Sequence, residues 1–110
     1  TTDGGIFPLD DSEFQEIVDD EFVRIEDRVD ELELDVDIDA SGGVLAFTLD
    51  SGSSIILSRQ VTNHEIWVAA KSGGFHLKRV DSEWFCQNTE ESLEQLLNRV
   101  FSEQAGVMLF

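Results

Sequence analysis

The sequence predicts an α+β fold, a two-layer αβ sandwich in which two helices pack on one face of a roughly six-stranded antiparallel sheet. Three observations predict it: an apolar stripe at helical spacing near the start, a second near the end, and short strands with tight turns between them. A chain of 110 residues, 41% hydrophobic, suits one domain with a modest core. We predict this domain over residues 10–110, and a flexible leader or a remnant of cloning over residues 1–9.

The first helix is predicted over residues 11–33. Ser12 is the expected N-cap, with Asp11 as the alternative. Acidic residues near the end of this helix, such as Asp30 and Glu31, oppose the helix macrodipole and crowd like charge there. Apolar residues recur at steps of three and four: Phe14, Ile17, Val18, Phe22, Ile25, Val29 and Leu32.

The strands follow as a meander of hairpins. Residues 35–40 alternate Asp-Val-Asp-Ile-Asp-Ala, which puts three carboxylates on one face of a strand and three apolar side chains on the other. Such a strand suits a sheet edge, where charge discourages aggregation. Turns rich in glycine and serine or in polar residues separate further strands, predicted over residues 44–49, 54–59, 65–70, 75–80 and 83–86.

The second helix is predicted to open at Thr89 with Glu91 and Ser92, and to stop at Gly106. Its buried stripe consists of Leu93, Leu96, Leu97, Val100 and Phe101. The apolar tail over residues 107–110 is expected to pack back onto the helices. Both helices then cover one face of the sheet and leave the other, called the open face below, for solvent or a partner.

The charge of the chain limits the classes of partner that it can bind. The net charge is −17, and fifteen of the 24 acidic residues fall between Asp10 and Asp39, with only Arg24 and Arg28 of opposite sign. With seven Lys and Arg residues in all, nucleic acid and anionic membranes are excluded as main partners. Cations and basic protein surfaces are the expected partners. The clustering counts against salt adaptation, which would spread acidic residues over the whole surface.

The acidic stretch supports two interpretations. Carboxylates gathered where a helix end lies beside an acidic strand can bind hard or borderline cations. The alternative is a solvated charged face. An EF-hand is excluded, because counting from Asp35 places Ala40 where the loop needs Gly and Ala46 where it needs Glu. Without His or Cys in the stretch, any metal would be held loosely by shared, partly hydrated carboxylates.

One tryptophan is a candidate docking residue. If Ile66 and Val68 face the helices, strand parity sends Glu65 and Trp67 to the open face. An exposed Trp at a sheet centre is typical of a protein–protein hot spot. The alternative is reversed parity, with Trp67 in the core. Trp84 is predicted to be a core residue.

The sequence does not indicate a catalytic site. His64 and His76 lie near no convincing nucleophile, and Cys86 has no basic or His partner close in sequence. A single cysteine cannot form an intramolecular disulfide, fits a reducing compartment and suggests no zinc site. The paired glycines fit hairpins, because neither pair opens a helix as a phosphate-binding loop does.

Seven short blocks occur in order along residues 10–106: Asp11-Ser12-Glu13-Phe14, Asp37-Ile38-Asp39, Gly42-Gly43-Val44-Leu45, Arg59-Gln60, Ile66-Trp67-Val68-Ala69, Gly73-Gly74-Phe75-His76 and Glu103-Gln104-Ala105-Gly106. Together they resemble the frataxin family, and in particular its bacterial, CyaY-like branch. The joint occurrence is specific, whereas any single block is weak. The fold of that family is the αβ sandwich predicted above.

The resemblance implies an iron-binding protein that regulates, or donates iron to, iron–sulfur cluster assembly by docking on the cysteine desulfurase and its scaffold protein. It implies weakly bound Fe²⁺ or Fe³⁺, with other divalent cations able to substitute. The family's iron-binding ridge, matched by position, gives the acidic ridge of this chain: Glu26, Asp27, Asp30, Glu31, Glu33, Asp35, Asp37 and Asp39. This ridge would also meet a basic surface of the desulfurase. Docking through the sheet would use Trp67, Glu65, Asn63 and Arg59.

Two alternatives stand beside this function: a weak ferroxidase or iron-storage protein, and a metal-independent anionic interaction module. We expect a monomer without enzymatic activity, with iron-dependent oligomers as the alternative. The expected location is the bacterial cytoplasm, or the mitochondrial matrix for a eukaryotic homologue. The chain departs from the family where Pro and Gln commonly lead to the Trp, because it has Thr62 and Glu65 there. It also departs in the shorter loop at Ala40-Ser41, and in its N-terminal leader, which has no counterpart in the bacterial relatives.

Overall fold

Seven strands and two helices make up residues 10–110, the part of the chain that a computed structural model describes. The leader predicted over residues 1–9 lies outside the described residues. The strands form one sheet in sequence order, each antiparallel to the next. The elements are α1 Asp11–Glu31, β1 Val36–Ser41, β2 Val44–Leu49, β3 Ser54–Gln60, β4 Glu65–Ala70, β5 Gly73–Val80, β6 Glu83–Cys86, β7 Glu91–Ser92 and α2 Leu93–Ala105. The predicted α+β sandwich is confirmed, with one strand more than expected.

The additional strand lies where the sequence predicted the start of the second helix. Glu91 and Ser92 pair with β6 before the chain turns into α2. Ser92 is also the N-cap of α2: its hydroxyl accepts from the Gln95 amide at 3.2 Å, and the Gln95 side chain accepts from the Ser92 amide at 2.9 Å. The prediction that α2 opens at Thr89 was therefore wrong, because this reciprocal capping box places the helix start after Ser92.

The first helix also begins with a capping box, one residue before the predicted candidates. Asp10 is the N-cap, and its carboxylate accepts from the Glu13 amide at 2.8 Å. The predictions of Ser12 or Asp11 were wrong, because the side chains of Asp10 and Glu13 cap each other's amides and the helix begins at Asp11. The helix ends at Glu31, two residues earlier than predicted.

The core lies between the helices and one face of the sheet. The buried residues of α1 and α2 form a single cluster with alternate residues of β2 to β6. Phe47 of β2 meets Phe101 of α2 edge to face at 5.5 Å, and Phe14 of α1 meets Trp84 of β6 at 6.0 Å. Trp84 is 2% exposed, so its predicted core position is confirmed.

The C-terminal tail packs back onto both helices, as predicted. Gly106 ends α2 in the left-handed conformation with φ of 71°, which glycine adopts without steric cost. Leu109 is then fully buried, and its carbonyl accepts from Arg28 Nε of α1. Phe110 exchanges two hydrogen bonds with the Asn98 side chain of α2, of 2.8 and 3.1 Å. Within residues 10–110, no helix is long and apolar enough to cross a membrane.

Candidate metal-binding and docking surfaces

The helical half of the acidic ridge lies on the last turns of α1. Glu26 and Asp27 lie three to five positions before Asp30 and Glu31, and residues three or four apart share a common helix surface. Glu26 is half-buried, whereas the other three are exposed. Their opposite face carries Ile25 and Val29 into the core. Amphipathic packing thus holds these carboxylates outward in a fixed order.

The turn between α1 and β1 carries the next two ridge residues. Glu33 is exposed and adopts a left-handed backbone conformation with φ of 52°, which an L-residue other than Gly adopts at a cost. This reversal directs the chain from α1 into the edge strand. Asp35 is exposed and lies just before β1, because the strand begins at Val36 and not at Asp35 as predicted.

Strand β1 places the last two ridge residues on the open face. Asp37 and Asp39 are exposed, whereas Val36 and Ile38 pack partly against the core, as the alternating pattern predicted. Ala40, the third predicted apolar contact, is exposed because the strand reaches the edge of the core there. Since β1 is an edge strand with charged side chains, its open hydrogen-bonding edge is protected against aggregation.

The ridge is almost without compensating cations. Within residues 10–110, Glu31 is the one ridge residue in an ion pair, with Arg28 at 4.0 Å. Arg24, one turn earlier, is bound to Glu21 and Glu94 instead. Burial would lower the pKa of Arg24, but its hydrogen bonds and charge interactions with these two carboxylates outweigh burial and raise it. The ridge therefore presents negative charge that few cations of the described residues compensate.

The ridge does not form a ready-made metal cage. Across residues 10–110, no three Asp, Glu, His or Cys side chains gather closely enough to hold one ion. Carboxylates in such an open arrangement can bind a hydrated cation through one or two oxygens each, with water completing the coordination. A cation bound in this way would be held weakly.

Trp67 lies on the open face, so its predicted parity is confirmed. Ile66 and Val68 are buried on the helix side, with 0% and 1% exposure. The sequence predicted an exposed Trp67, but the side chain is half-buried. Its ring stacks on His76 of β5 with centroids 4.2 Å apart and an interplanar angle of 9°. The indole Nε1 donates to Glu65 Oε1 at 2.7 Å, a second contact that restrains the ring.

The strand register puts the β1 part of the ridge, Asp37 and Asp39, on one surface with Trp67. Asp39 pairs with Ala46, Ala46 with Ile56, and Ile56 with Ala69. Ala69 lies two residues after Trp67 in β4 and therefore on the same face of the sheet. Paired residues share a face, so the β1 carboxylates lie about 14 Å across the open face from the strand of Trp67. A single partner of ordinary interface size can cover both.

The other two predicted docking residues lie apart from Trp67. Asn63 is exposed in the turn between β3 and β4. Arg59 pairs across the sheet with Ile66 and therefore points to the helix side. Its guanidinium donates to Asp19 of α1 at 2.7 Å and lies over Gly43, where a Cβ would come within 3.1 Å of Arg59 Nε. The structure thus does not bring Arg59 together with Trp67.

Sequence reasoning did not find His76 and Lys78 as parts of the open face. The tight turn between β4 and β5 could have revealed them. Two residues separate Ala70 from Gly73, so these two pair, and the same register sets His76 opposite Trp67 and Lys78 opposite Glu65. The other histidine, His64, lies 2.9 Å from Asp11 and stacks on Phe14, which ties the β3–β4 turn to α1.

Comparisons with known proteins agree on one family. The frataxin-like domain matches residues 7–107. The chain is 41% identical over 97 residues to the iron–sulfur cluster assembly protein CyaY of Vibrio cholerae, covering 88% of this chain and 93% of that protein. The structure resembles frataxin from Psychromonas ingrahamii with a TM-score of 0.85 and 25% identity, over 91% of this chain and 95% of that one. It also resembles yeast frataxin, with a TM-score of 0.70 and 21% identity over 94% and 93% of the two chains.

Proposed function

The chain belongs to the frataxin family, and we propose that it acts in iron–sulfur cluster assembly as an iron-binding regulator or iron donor. In this proposal it docks on the cysteine desulfurase and its scaffold protein through the acidic ridge and the open face. The similarity to a bacterial protein named for iron–sulfur cluster assembly supports the process. It also supports action in a bacterial cytoplasm, which we propose as the location.

One observation supports the ridge as the site: its eight carboxylates follow one another along α1, the turn and β1, and within residues 10–110 Arg28, through Glu31, is the one cation that pairs with them. Like charges held together by a fold raise its free energy, so a cation that reaches them is attracted strongly. Carboxylate oxygens can bind iron ions. An iron ion bound at an open site would exchange readily with ions in solution. Ready exchange suits an iron donor or sensor, which has to release its cargo.

The proposal is tested by NMR of the ¹⁵N-labelled protein titrated with Fe²⁺ without oxygen. Paramagnetic broadening reports which amides lie near bound metal, and we expect it to be confined to residues 26–39. The variant Asp37→Asn with Asp39→Asn should lose the broadening on β1. The matched control, Asp81→Asn with Glu83→Gln, removes the same charge outside the ridge and should keep it. Absence of selective broadening at millimolar iron would contradict iron binding by the ridge.

A second candidate function, a metal-independent anionic docking module, is favoured by the absence of a three-ligand cage within residues 10–110. In that case the ridge would meet a basic protein surface directly. Desulfurase binding would then be unchanged by a chelator and would weaken steeply with salt. Binding that requires added Fe²⁺ would instead favour the iron-dependent function.

A further inference from the structure

Glu65 is the one charged or polar residue within residues 10–110 that is buried, with 7% exposure. It belongs to β4 and lies beside Trp67 on the open face. A buried carboxylate is costly unless donors or cations satisfy its oxygens. The partners of its two oxygens therefore indicate what the residue does.

The first oxygen of Glu65 is satisfied by Trp67. Its Oε1 accepts from the indole Nε1 at 2.7 Å, while the indole ring stacks on His76. A hydrogen bond at one edge and a stacked ring on one face leave the indole little freedom to rotate. Glu65 thus fixes the orientation of the aromatic residue that is most prominent on the open face.

The second oxygen has a weaker partner. Lys78 Nζ lies 3.9 Å from Oε2, beyond hydrogen-bond distance, and the lysine side chain is 60% exposed. The long separation and the exposed lysine make this contact weak, so an incoming cation can take its place. A carboxylate can accept about four hydrogen bonds, so Glu65 keeps capacity for further donors.

Glu65 also lines a small recess of about 170 Å³ on the open face. The ring of Phe85 provides an apolar wall, and the side chains of Gln87 and Asn88 provide amide oxygens that can accept hydrogen bonds. His76 and Lys78 complete the lining. A buried carboxylate, amide oxygens and an aromatic wall suit an organic cation with an apolar stem. A metal ion is disfavoured, because no three ligating side chains gather within residues 10–110.

We propose that Glu65 positions Trp67 and that the recess beside them receives a lysine or arginine side chain of the protein that docks on the open face. The existence of that docking protein rests on the function proposed above. The incoming cation displaces Lys78 from Oε2 and packs its stem on Phe85. Binding then requires a partner with a basic side chain set within flat apolar surface that covers Trp67.

The positioning role is tested on the protein alone, through the two indole N–H signals in a ¹⁵N NMR spectrum. Trp67→Phe assigns them. Glu65→Gln keeps an acceptor for the indole and removes the charge, whereas Glu65→Ala removes both. In Glu65→Ala the Trp67 indole N–H should exchange with water about tenfold faster, as expected for losing a hydrogen bond to a charged group. Glu65→Gln should largely retain the protection. Unchanged exchange in Glu65→Ala would overturn the positioning role.

The recess is tested with the peptide acetyl-Leu-Arg-Ala-amide, compared with the same peptide carrying Gln in place of Arg. We expect the Arg peptide to shift the Trp67 indole and the side-chain amides of Gln87 and Asn88. Glu65→Gln should weaken its binding about tenfold, and Lys78→Ala should strengthen it. Glu83→Gln removes equal charge outside the recess and controls for general attraction to an acidic protein.

Equal effects of Glu65→Gln and Glu83→Gln, or shifts confined to the acidic ridge, would overturn the recess as a cation site. Both tests are independent of iron and of the desulfurase. Failure of the Fe²⁺ titration would therefore leave them standing, and their failure would leave the function proposed for the ridge untouched.

Discussion

Two acidic regions of this protein differ in whether a cation neutralises them. Glu91 in β7 and Glu103 near the end of α2 share Arg99: its Nε and one terminal nitrogen each lie 2.9 Å from a Glu91 oxygen, and Glu103 is 3.7 Å away. We call these three residues the paired cluster. The acidic ridge has eight carboxylates and, within residues 10–110, one ion pair of 4.0 Å.

The difference separates two uses of the same side chains. In the paired cluster, the guanidinium meets the carboxylate in two parallel hydrogen bonds, a geometry that stabilises the fold and ties β7 to α2. In the acidic ridge, we expect the carboxylates to cost stability, because like charges lie near one another there, and to stay available to solvent and ligands. Removing charge should therefore have opposite effects in the two regions, and each prediction below tests this opposition.

The largest effect is expected from Arg99→Ala in the paired cluster. It removes both hydrogen bonds to Glu91 and the packing of the guanidinium over Phe75, at 5.2 Å from the ring centroid. We expect the free energy of unfolding to fall by about 2 kcal/mol, because the half-buried Glu91 carboxylate is left unpaired. Urea denaturation measures it. Lys71→Ala, which removes the same charge from an exposed turn, is the control, and an equal loss there would contradict the argument.

The pH dependence of the same cluster sharpens this prediction. The two hydrogen bonds from Arg99 hold the pKa of Glu91 below its ordinary value of 4.5, since they outweigh the opposing effect of burial. A lowered pKa in the folded state means that Glu91 stabilises the fold above about pH 4.5, and that this stability is lost as the pH falls through the lowered pKa. The difference in free energy of unfolding between the wild type and Arg99→Ala should therefore become smaller as the pH is lowered.

The sequence predicted what depends on local periodicity. The helical stripe from Phe14 to Val29 predicted the buried face of α1, and the alternation around Trp67 left two parities for β4, of which the structure has Ile66 and Val68 buried. The predicted N-caps Ser12 and Asp11 were wrong by two residues and one residue, since adjacent Asp and Ser residues can all cap a helix. The same parity would have sent Arg59 to the helix side with Leu57, whereas the family resemblance led to its assignment as a docking residue.

Other features of the site depend on contacts between distant segments. The burial of Glu65 and the stacking of His76 on Trp67 need the β4–β5 register and the side-chain conformations together. The pairing of Arg99 with Glu91 depends on the short strand β7. This strand has two residues, too few for an alternating pattern in the sequence to predict it. Acidic composition alone could not separate the paired cluster from the acidic ridge, because the position of one guanidinium decides it.

A second, smaller effect is expected from Glu33→Gly at the centre of the acidic ridge. Glu33 combines an uncompensated carboxylate with a left-handed backbone, φ of 52°. Glycine removes both costs but is more flexible in the unfolded chain, so we expect a net stabilisation of about 0.5–1 kcal/mol. Glu33→Gln removes only the charge and should stabilise less. Urea denaturation of both variants separates the contribution of the backbone conformation from that of the charge. Destabilisation by Glu33→Gln would count against charge repulsion in the ridge.

The smallest effect is expected from Asp37→Asn on β1. Asp37 and Asp39 lie two positions apart on the same face of the edge strand, so their side chains point the same way with no cation between them. Neutralising one should raise the stability at low ionic strength by about 0.3 kcal/mol. The gain should disappear in about 1 M salt, where the Debye length falls to about 3 Å.

Thermal unfolding at low and high salt measures this effect, and divalent cations should raise the melting temperature of the wild type in the same way. Glu103→Gln in the paired cluster is the matched control, because it removes equal charge next to Arg99 and should give no stabilisation. If Asp37→Asn lowered the stability at low salt, the carboxylates of β1 would be contributing favourable interactions. The acidic ridge would then resemble the paired cluster, and its charge would no longer require a cation from outside to explain it.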